Sequence, residues 1–186
     1  GSGGVVYTRD LDIYHMALAH ADRGKPSWNS GFDFRDPRHF LFPALNLHTD
    51  EISCAIGISS LARLDDVRRA RLDYIGAVCN GLADIPGVFS YGYSDADSPF
   101  FQPVMVDEGA LVCDKRAFAA AVAAEGIGIN PHYEYLVANW PWLTAFLAKP
   151  IDTPNARHVL NTSFNLFVNE SYGMQEAEDT VAAIAK

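Results

Sequence analysis

Apolar residues recur at helical spacing in three stretches of the first half of the chain. Residues 12–21 and 65–82 each bring apolar side chains to one face every three or four positions. Between them, Ile52 and Ile56 keep the same spacing after Thr49, whose hydroxyl is well suited to cap a helix N-terminus. We therefore predict three helices, with Thr49 as the N-cap of the second.

Short runs of β-branched and aromatic residues indicate strands, the first of them at 5–7. The remaining predicted elements are, in chain order, strands at 88–93 and 99–106, a helix from Asp114 to a glycine cap at Gly126, a strand at 127–130, short helices at 139–148 and 154–160, a strand at 164–168 and a final helix around Met174 and Ile184. Two prolines in the second of these strands, Pro99 and Pro103, predict a position at a sheet edge.

This order of elements favours a mixed α/β fold in which helices cover one face of a small sheet. The chain has 186 residues, of which 49% are hydrophobic and 20% charged, a composition typical of a globular domain with a core of useful size. A formal net charge of −9 argues against nucleic-acid binding, which selects basic surfaces. No apolar run is long enough to suggest a membrane span, so we expect no membrane partner.

The three cysteines, Cys54, Cys79 and Cys113, are widely spaced and form no C-x-x-C pair. This pattern predicts neither a disulfide framework nor a zinc site. We expect buried free thiols and a location in the reducing cytoplasm.

Asn46 and His48 form the first candidate site. They alternate in an extended loop directly before the helix that follows Thr49, so both side chains can point the same way. Polar side chains beside a helix N-terminus are a plausible place for a phosphate or a carboxylate. The alternative is an ordinary capped core helix without a ligand.

This stretch resembles a motif of the DegT/DnrJ/StrS-type sugar aminotransferases, G-x-N-x-R-x-x-E-L-x-A-A-x-G-x-x-Q-L-x-x-L-D. The positions that match without a gap are Asn46, Glu51, Ala55, Gly57, Leu61, Leu64 and Asp65. Two positions depart from it, because Ala44 stands where the family has Gly and His48 where it has Arg. Residues 3–10, G-G-V-V-Y-T-R-D, are also similar to the family's G-G-x-V-x-T-x-D strand.

The resemblance implies a fold and a division into domains. Residues 1–64 would be the end of the large, cofactor-binding domain of a type I PLP-dependent transferase. Residues 65–186 would be its small C-terminal α+β domain. The active site would lie at a homodimer interface, with the loop before the capped helix reaching the cofactor of the partner subunit.

The implied reaction is the transfer of an amino group from glutamate or glutamine to a keto sugar nucleotide or a cyclitol. The resemblance assigns Asn46 to the phosphate of pyridoxal phosphate (PLP) and His48 to an anionic group of the substrate. The lysine that binds PLP covalently is expected upstream of Gly1, so this chain would hold no catalytic residue. The four lysines present are predicted to lie at the surface: Lys25, Lys115, Lys149 and Lys186.

A second candidate site lies at His132 and Tyr133. They follow the segment G-I-G-I-N-P, and the family often has a Tyr or a His-Tyr pair at this place, near the substrate. An imidazole and a phenol are suited to hold sugar hydroxyls or a carboxylate. The alternative is a turn in which Tyr133 packs and His132 is solvated.

Two other functions stay open. Some relatives are sugar dehydratases that use pyridoxamine phosphate (PMP) and have His in place of the lysine. A second possibility, from another class, is a non-catalytic α/β domain for binding or interaction.

Overall fold

The computed structural model describes residues 3–133 and 135–186, without the side chain of Thr144. The described chain forms two compact units, one ending at Arg63 and one comprising Leu64–Lys186. The assignment of these parts to a large and a small domain of a longer enzyme stays a prediction.

The described part of the first unit contains two α-helices, α1 at Leu11–Ala21 and α2 at Glu51–Leu61, and a short 3₁₀ helix at Pro37–His39. The N-cap of α2 is Asp50, so the prediction of Thr49 is wrong by one position. The Asp50 carboxylate accepts a hydrogen bond from the main-chain N–H of Ser53 at 2.7 Å and also one from the Ser53 hydroxyl. A carboxylate is a good acceptor here because it also opposes the positive end of the helix dipole.

Two other expectations for the first unit are wrong. Residues 5–7 form no strand, and Val5, Val6 and Tyr7 are 94%, 73% and 81% exposed. The apolar face of α2 is not buried either, since Ile52 is 73% exposed and Ile56 53% exposed. A strand needs a neighbour that satisfies its backbone groups, and an apolar helix face needs an element to pack against. The described residues of this unit provide neither.

The second unit follows the predicted order of elements. Its helices are α3 at Leu64–Leu82, α4 at Lys115–Ala124, α5 at Pro154–Thr162 and α6 at Met174–Ala185. Its strands are β1 at Val88–Ser90, β2 at Phe101–Val106, β3 at Ile129–Asn130 and β4 at Ser163–Phe167. The helix predicted at 139–148 is instead a pair of short 3₁₀ segments, Val137–Asn139 and Pro141–Phe146.

The caps of α4 agree with the sequence. Asp114 accepts from the main-chain N–H of Ala117 at 2.8 Å, and Gly126 follows the helix with a φ of +93°. This left-handed conformation is easily reached only by glycine, so Gly126 ends the helix as predicted.

The four strands form one antiparallel sheet in the order β1-β2-β4-β3. β2 therefore lies inside the sheet, and the prediction of an edge position is wrong. Pro103 is tolerated there because it lies just beyond the end of β1, which is paired only as far as Val104 opposite Ser90. The Ser90 hydroxyl donates to the Pro103 carbonyl at 2.5 Å, so a side chain continues the pairing where the proline has no N–H.

One face of the sheet carries the core of this unit. Val104, Phe164 and Leu166 are at most 1% exposed and pack with buried residues of α3, α4 and α6. The helix residues in this core include Tyr74, Ile75, Val78 and Leu82 of α3, Ala119 and Val122 of α4, and Ala177 and Ile184 of α6. The apolar stripes predicted from helical spacing are thus confirmed for α3 and α6.

The helices α3, α4 and α6 lie on the core face of the sheet, as predicted, and α5 is a further helix on the opposite face. Successive strand residues point to opposite faces. Phe101, Pro103, Ser163 and Asn165 alternate with the core residues, and together with α5 they line a pocket. α5 begins at Pro154, and its residues Ala156, Val159 and Leu160 line that pocket.

The three cysteines are free, as predicted, but they are not all buried. Cys54 is exposed, while Cys79 and Cys113 are half-buried. Among the described residues, no helix is both long and apolar enough to cross a membrane.

Leu166→Ala should lower the free energy of unfolding of this chain by about 2–5 kcal/mol, because it removes a buried side chain and leaves a cavity in the core. Urea denaturation measures the loss. Phe167→Ala is the matched control, since this neighbouring residue of β4 is 53% exposed. An equal or larger loss in the control would contradict the assignment of the core face.

Candidate functional site

The loop that carries Asn46 and His48 is held to the end of α1 by its backbone. Asp22 and Asn46 form an antiparallel β-bridge. The main-chain N–H of Arg23 donates to the carbonyl of Leu45 at 2.9 Å, and that of Leu47 donates to the carbonyl of Ala21 at 2.8 Å. These bonds fix the position of the loop even though its side chains are exposed.

His48 is held by the carboxylate of Asp22. The distance from His48 Nε2 to Asp22 Oδ2 is 3.1 Å, and the same oxygen lies 3.3 Å from Lys25 Nζ. The other oxygen, Oδ1, accepts from Arg23 Nη1 at 2.9 Å. Burial alone would raise the pKa of Asp22, but the hydrogen bonds from His48 and Lys25 outweigh it and hold the pKa below the ordinary value of 3.8.

Lys25 is buried, so its predicted surface position is wrong. It is 9% exposed, and its ammonium lies 5.8 Å from the ring centroid of Phe34 and 5.7 Å from that of Phe40. Residues 32–42, which carry four phenylalanines and are called the aromatic loop here, fold over the lysine. Asp22 and the ring faces replace the water that the charge has lost. The alternation of aromatic and charged residues in this loop is the sequence feature from which the burial of Lys25 could have been predicted.

Gly24 makes this arrangement possible. Its φ is +79°, and a Cβ at this position would lie 2.0 Å from the carbonyl oxygen of Phe42. The carbonyl of Gly24 also accepts from the main-chain N–H of Leu41 at 2.8 Å. Glycine is required here both for the backbone conformation and for the close approach of the two chain segments.

Asn46 differs from His48 in its surroundings. Its side chain is exposed, and its amide makes no hydrogen bond with any of the described residues. The residue is therefore positioned by its backbone while its amide remains available to a group from outside.

The second candidate site is built on a buried lysine. Lys115, at the start of α4, is 2% exposed. Its Nζ donates to the carbonyl of Pro131 at 3.1 Å and lies 2.7 Å from His132 Nδ1. The lysine thus supports the turn that precedes Tyr133. A solvated position for Lys115, as expected from its place beside Arg116, is wrong.

The electrostatics of Lys115 follow from this burial. Burial lowers the pKa of the Lys115 ammonium below its ordinary value of 10.5, and the charge of Arg116 lowers it further, against the opposing effects of Glu108 and Asp114. The carboxylate of Glu108 accepts from the main-chain N–H of Lys115 at 2.8 Å. The helical pattern of the sequence does not predict the burial of Lys115, because this residue lies in the first turn of α4, where a side chain is as often exposed as buried.

Tyr133 is 45% exposed and lies in a row of aromatic rings. Its centroid is 5.8 Å from that of Phe101 and 4.9 Å from that of Tyr135. These rings line a cavity of about 380 Å³ on the face of the sheet opposite the core. The two residues predicted from the sequence therefore have different surroundings. His132 contacts Lys115, whereas Tyr133 lines this cavity.

The sequence profile of the DegT/DnrJ/EryC1/StrS aminotransferase family matches residues 1–185. The chain belongs to this family. Among curated proteins, the spore coat polysaccharide biosynthesis protein SpsC of Bacillus subtilis (strain 168) is 22% identical over 193 residues, a match that covers 99% of this chain and 49% of SpsC.

Solved structures with a similar fold include enzymes of two reaction classes. A variant of the dehydratase ColD superposes with a TM-score of 0.80 at 18% identity over 95% of this chain and 49% of its own. The aminotransferase TlmJ of Streptoalloteichus hindustanus gives 0.74 at 17% identity over 95% and 45%. The E. coli GDP-4-keto-6-deoxy-D-mannose-3-dehydratase, solved with bound hydrated PLP, gives 0.76 at 19% identity over 95% and 48%.

These matches confirm the family and the fold predicted from the sequence. The chain spans about half the length of the relatives that it matches. The roles of Asn46, His48, His132 and Tyr133 stay predictions. Among the described residues, no group of His, Cys, Asp and Glu is arranged to hold a metal ion.

The loop around Asn46 has a side chain suited to bind the phosphate of a PLP group. The exposed amide of Asn46 can donate to a phosphate oxygen, and its backbone bridge to Asp22 fixes where it does so. Arg23 and Lys25 are bound to Asp22, so these two cations are engaged within the loop.

Replacing Lys115 should change how stability depends on pH. Because burial lowers its pKa in the folded state, the unfolded chain binds more protons from that lowered pKa up to the ordinary lysine pKa of about 10.4. The free energy of unfolding should therefore rise with pH across this window. In Lys115→Met this rise should be absent.

Urea denaturation at a series of pH values between about 7 and about 10 measures this difference. Lys149→Met is the matched control, since Lys149 is exposed and its variant should retain the rise. A rise that persists in Lys115→Met would contradict the role of burial.

Proposed function

We propose that the full-length protein is a PLP-dependent aminotransferase that acts on a keto sugar nucleotide or a cyclitol. The amino group comes from glutamate or glutamine and replaces the keto oxygen of the sugar, while the donor becomes the corresponding 2-oxo acid. The family match over residues 1–185 supports this reaction class. PLP, when bound, supplies an electron sink for the bonds at the reacting carbon.

The observation that carries the proposal is the exposed, unbonded amide of Asn46 on a loop whose backbone is fixed. In a homodimer this loop reaches the active site of the partner subunit, and Asn46 donates to the phosphate of the PLP held there. An amide is suited to this contact because it donates a hydrogen bond without bringing a charge that needs its own partner. The PLP-binding lysine lies upstream of Gly1.

His48 takes the place of the family arginine and binds an anionic group of the substrate. Asp22 engages Nε2, so Nδ1 is the ring nitrogen left to face the anion. An arginine is charged at every physiological pH, whereas a histidine carries charge only in its protonated form. The substitution therefore makes the contact sensitive to pH.

His132 and Tyr133 hold neutral groups of the substrate, such as sugar hydroxyls. The turn that carries them is supported by the Lys115 ammonium, which donates to the Pro131 carbonyl. A phenol can donate to and accept from such groups, and the His132 imidazole, whose Nδ1 lies 2.7 Å from the Lys115 ammonium, can donate through Nε2.

A second reaction class has a specific observation in its favour, since the solved structures of similar fold include the dehydratase ColD. A PMP-dependent sugar dehydratase would use the same loop and the same phosphate contact. The two reactions differ in the residue upstream of Gly1, lysine or histidine, and in the product, an amino sugar or a deoxy sugar. Product analysis of the full-length protein with a keto sugar nucleotide and glutamate distinguishes them.

We place the protein in the cytoplasm, where three free cysteines are stable in the reduced form.

Asn46→Ala in the full-length protein should weaken PLP binding by about 1.5–3 kcal/mol, the contribution of one hydrogen bond to a charged group. PLP titration, followed by absorbance, measures the change. Asn80→Ala is the control, because Asn80 is an exposed residue of α3. Unchanged PLP affinity in Asn46→Ala would remove the cofactor role of this residue.

Substrate binding by the wild type should weaken as the pH rises, because a histidine attracts an anion only in its protonated form. His48→Arg should remove this dependence, since arginine stays charged, and His48→Ala should weaken binding at every pH. His158→Ala, at an exposed histidine of α5, should behave like the wild type. A wild-type pH profile retained in His48→Arg would show that His48 does not contact the anion.

A further inference from the structure

A cleft in the second unit shares no residue with either candidate site. It lies where α3 and α6 meet the turn at residues 126–128. The side chains that line it and that matter below are Tyr74, Tyr172, Glu176, Asp179 and Thr180. We call it the tyrosine cleft. Its volume of about 240 Å³ is smaller than that of typical small-molecule sites, roughly 300–1,000 Å³, so it suits a small group.

Two buried hydroxyl groups line the tyrosine cleft, those of Tyr74 and Thr180, each in a residue that is 3% exposed. Thr180 Oγ1 donates to the main-chain carbonyl of Glu176 at 2.7 Å and lies 3.0 Å from the phenol oxygen of Tyr74. A hydroxyl has one proton, so Thr180 has none left and the Tyr74 phenol must donate to it. Burial raises the pKa of Tyr74 above its ordinary value of 10.0, and the phenol therefore keeps this proton.

The phenol oxygen of Tyr74 thus offers only its lone pairs to the cleft. Its one proton is engaged with Thr180, and no described residue donates a hydrogen bond to it. A buried oxygen of this kind, placed at a cavity, favours an occupant that carries a hydrogen-bond donor.

Two carboxylates of α6, those of Glu176 and Asp179, also line the cleft. They are three positions apart and so lie side by side on the helix. Oε2 of Glu176 accepts from the main-chain N–H of Gly173 at 2.8 Å, and Oδ1 of Asp179 accepts from the Gln175 amide at 3.0 Å. Neither carboxylate forms an ion pair with a described residue, and the described lining residues include no lysine or arginine. The cleft therefore holds two negative charges without a counter-ion.

The rings of Tyr74 and Tyr172 form the apolar part of the cleft. Their centroids are 5.3 Å apart and their planes are inclined by 58°. The face of a tyrosine ring attracts a cation and also packs against an alkyl chain. A metal ion such as calcium is a less suitable occupant, because it needs about 6–8 oxygen ligands and the rings supply none.

We propose that the tyrosine cleft binds the protonated amino group of a small aliphatic amine. The ammonium donates to the carboxylates of Glu176 and Asp179 and to the phenol oxygen of Tyr74, while the alkyl chain packs against the Tyr172 ring. Charge, hydrogen-bond donors and an apolar stem are what these walls require together. The proposal is independent of the proposed function, since it uses none of the same residues.

Isothermal titration of the full-length protein with butylammonium chloride, at constant ionic strength, tests the proposal. Butylammonium should bind saturably at one site per chain, whereas 1-butanol, which has the same alkyl chain without the charge, should not bind. Asp179→Asn should weaken butylammonium binding about tenfold, since a hydrogen bond between two charged groups is lost. Tyr172→Leu should weaken it about threefold through the loss of the ring face.

Glu178→Gln is the matched control. It removes the same charge from the neighbouring position of α6, but Glu178 does not line the cleft, so the variant should bind like the wild type. This comparison separates a defined site from general attraction of a cation to a protein with a formal net charge of −9. An equal loss in Glu178→Gln and Asp179→Asn would overturn the proposal.

A second measurement on the wild type makes the test independent of how the variants fold. Irradiation of the aromatic protons of the protein should transfer saturation to the methylene protons of butylammonium, because the chain lies against the Tyr172 ring. Absent transfer, or 1-butanol binding as tightly as butylammonium, would also overturn the proposal.

Discussion

The two inner strands of the sheet impose the constraint on which the second unit depends. Successive side chains of β2 and β4 leave the sheet on opposite faces, so each strand serves two environments at once. Val104 and Leu166 contribute to the core, whereas Pro103 and Asn165, directly opposite each other, face the pocket. A shift in register by one residue would exchange the two sets and lose both the core and the pocket.

The loop of the first unit is organised by a different principle, a single carboxylate shared by several cations. Asp22 joins the end of α1 to His48 and to the lysine under the aromatic loop. The backbone bridge to Asn46 adds a geometric link that depends on no side chain. The loop can therefore keep its form while Asn46 and His48 remain exposed, which a loop fixed by burial of these side chains could not do.

The sequence predicted well those features that depend on local chemistry. The spacing of apolar residues located α3 and α6, and the cap residues Asp114 and Gly126 located the ends of α4. These predictions hold because a helix and its caps are specified by residues within a few positions of one another.

The features that were missed depend on contacts between distant parts of the chain. Lys115 is buried because the turn at Pro131 folds over it, sixteen positions away, and no local pattern records this. β2 is an inner strand because β4, about sixty positions later, pairs with it. For the candidate site, the motif drew attention to Asn46 and His48, but not to Asp22, whose partners are only visible once the chain has folded.

The group around Asp22 has a consequence for how ligands approach. Its carboxylate lies between two cationic neighbours, Arg23 and Lys25, so these three side chains together carry one excess positive charge. The chain as a whole has a formal net charge of −9. The local excess of positive charge favours the approach of an anion to the loop, against the opposing charges of Asp50, Glu51 and the chain as a whole. This attraction weakens as ionic strength rises, so capture of an anionic ligand here depends on salt as well as on pH.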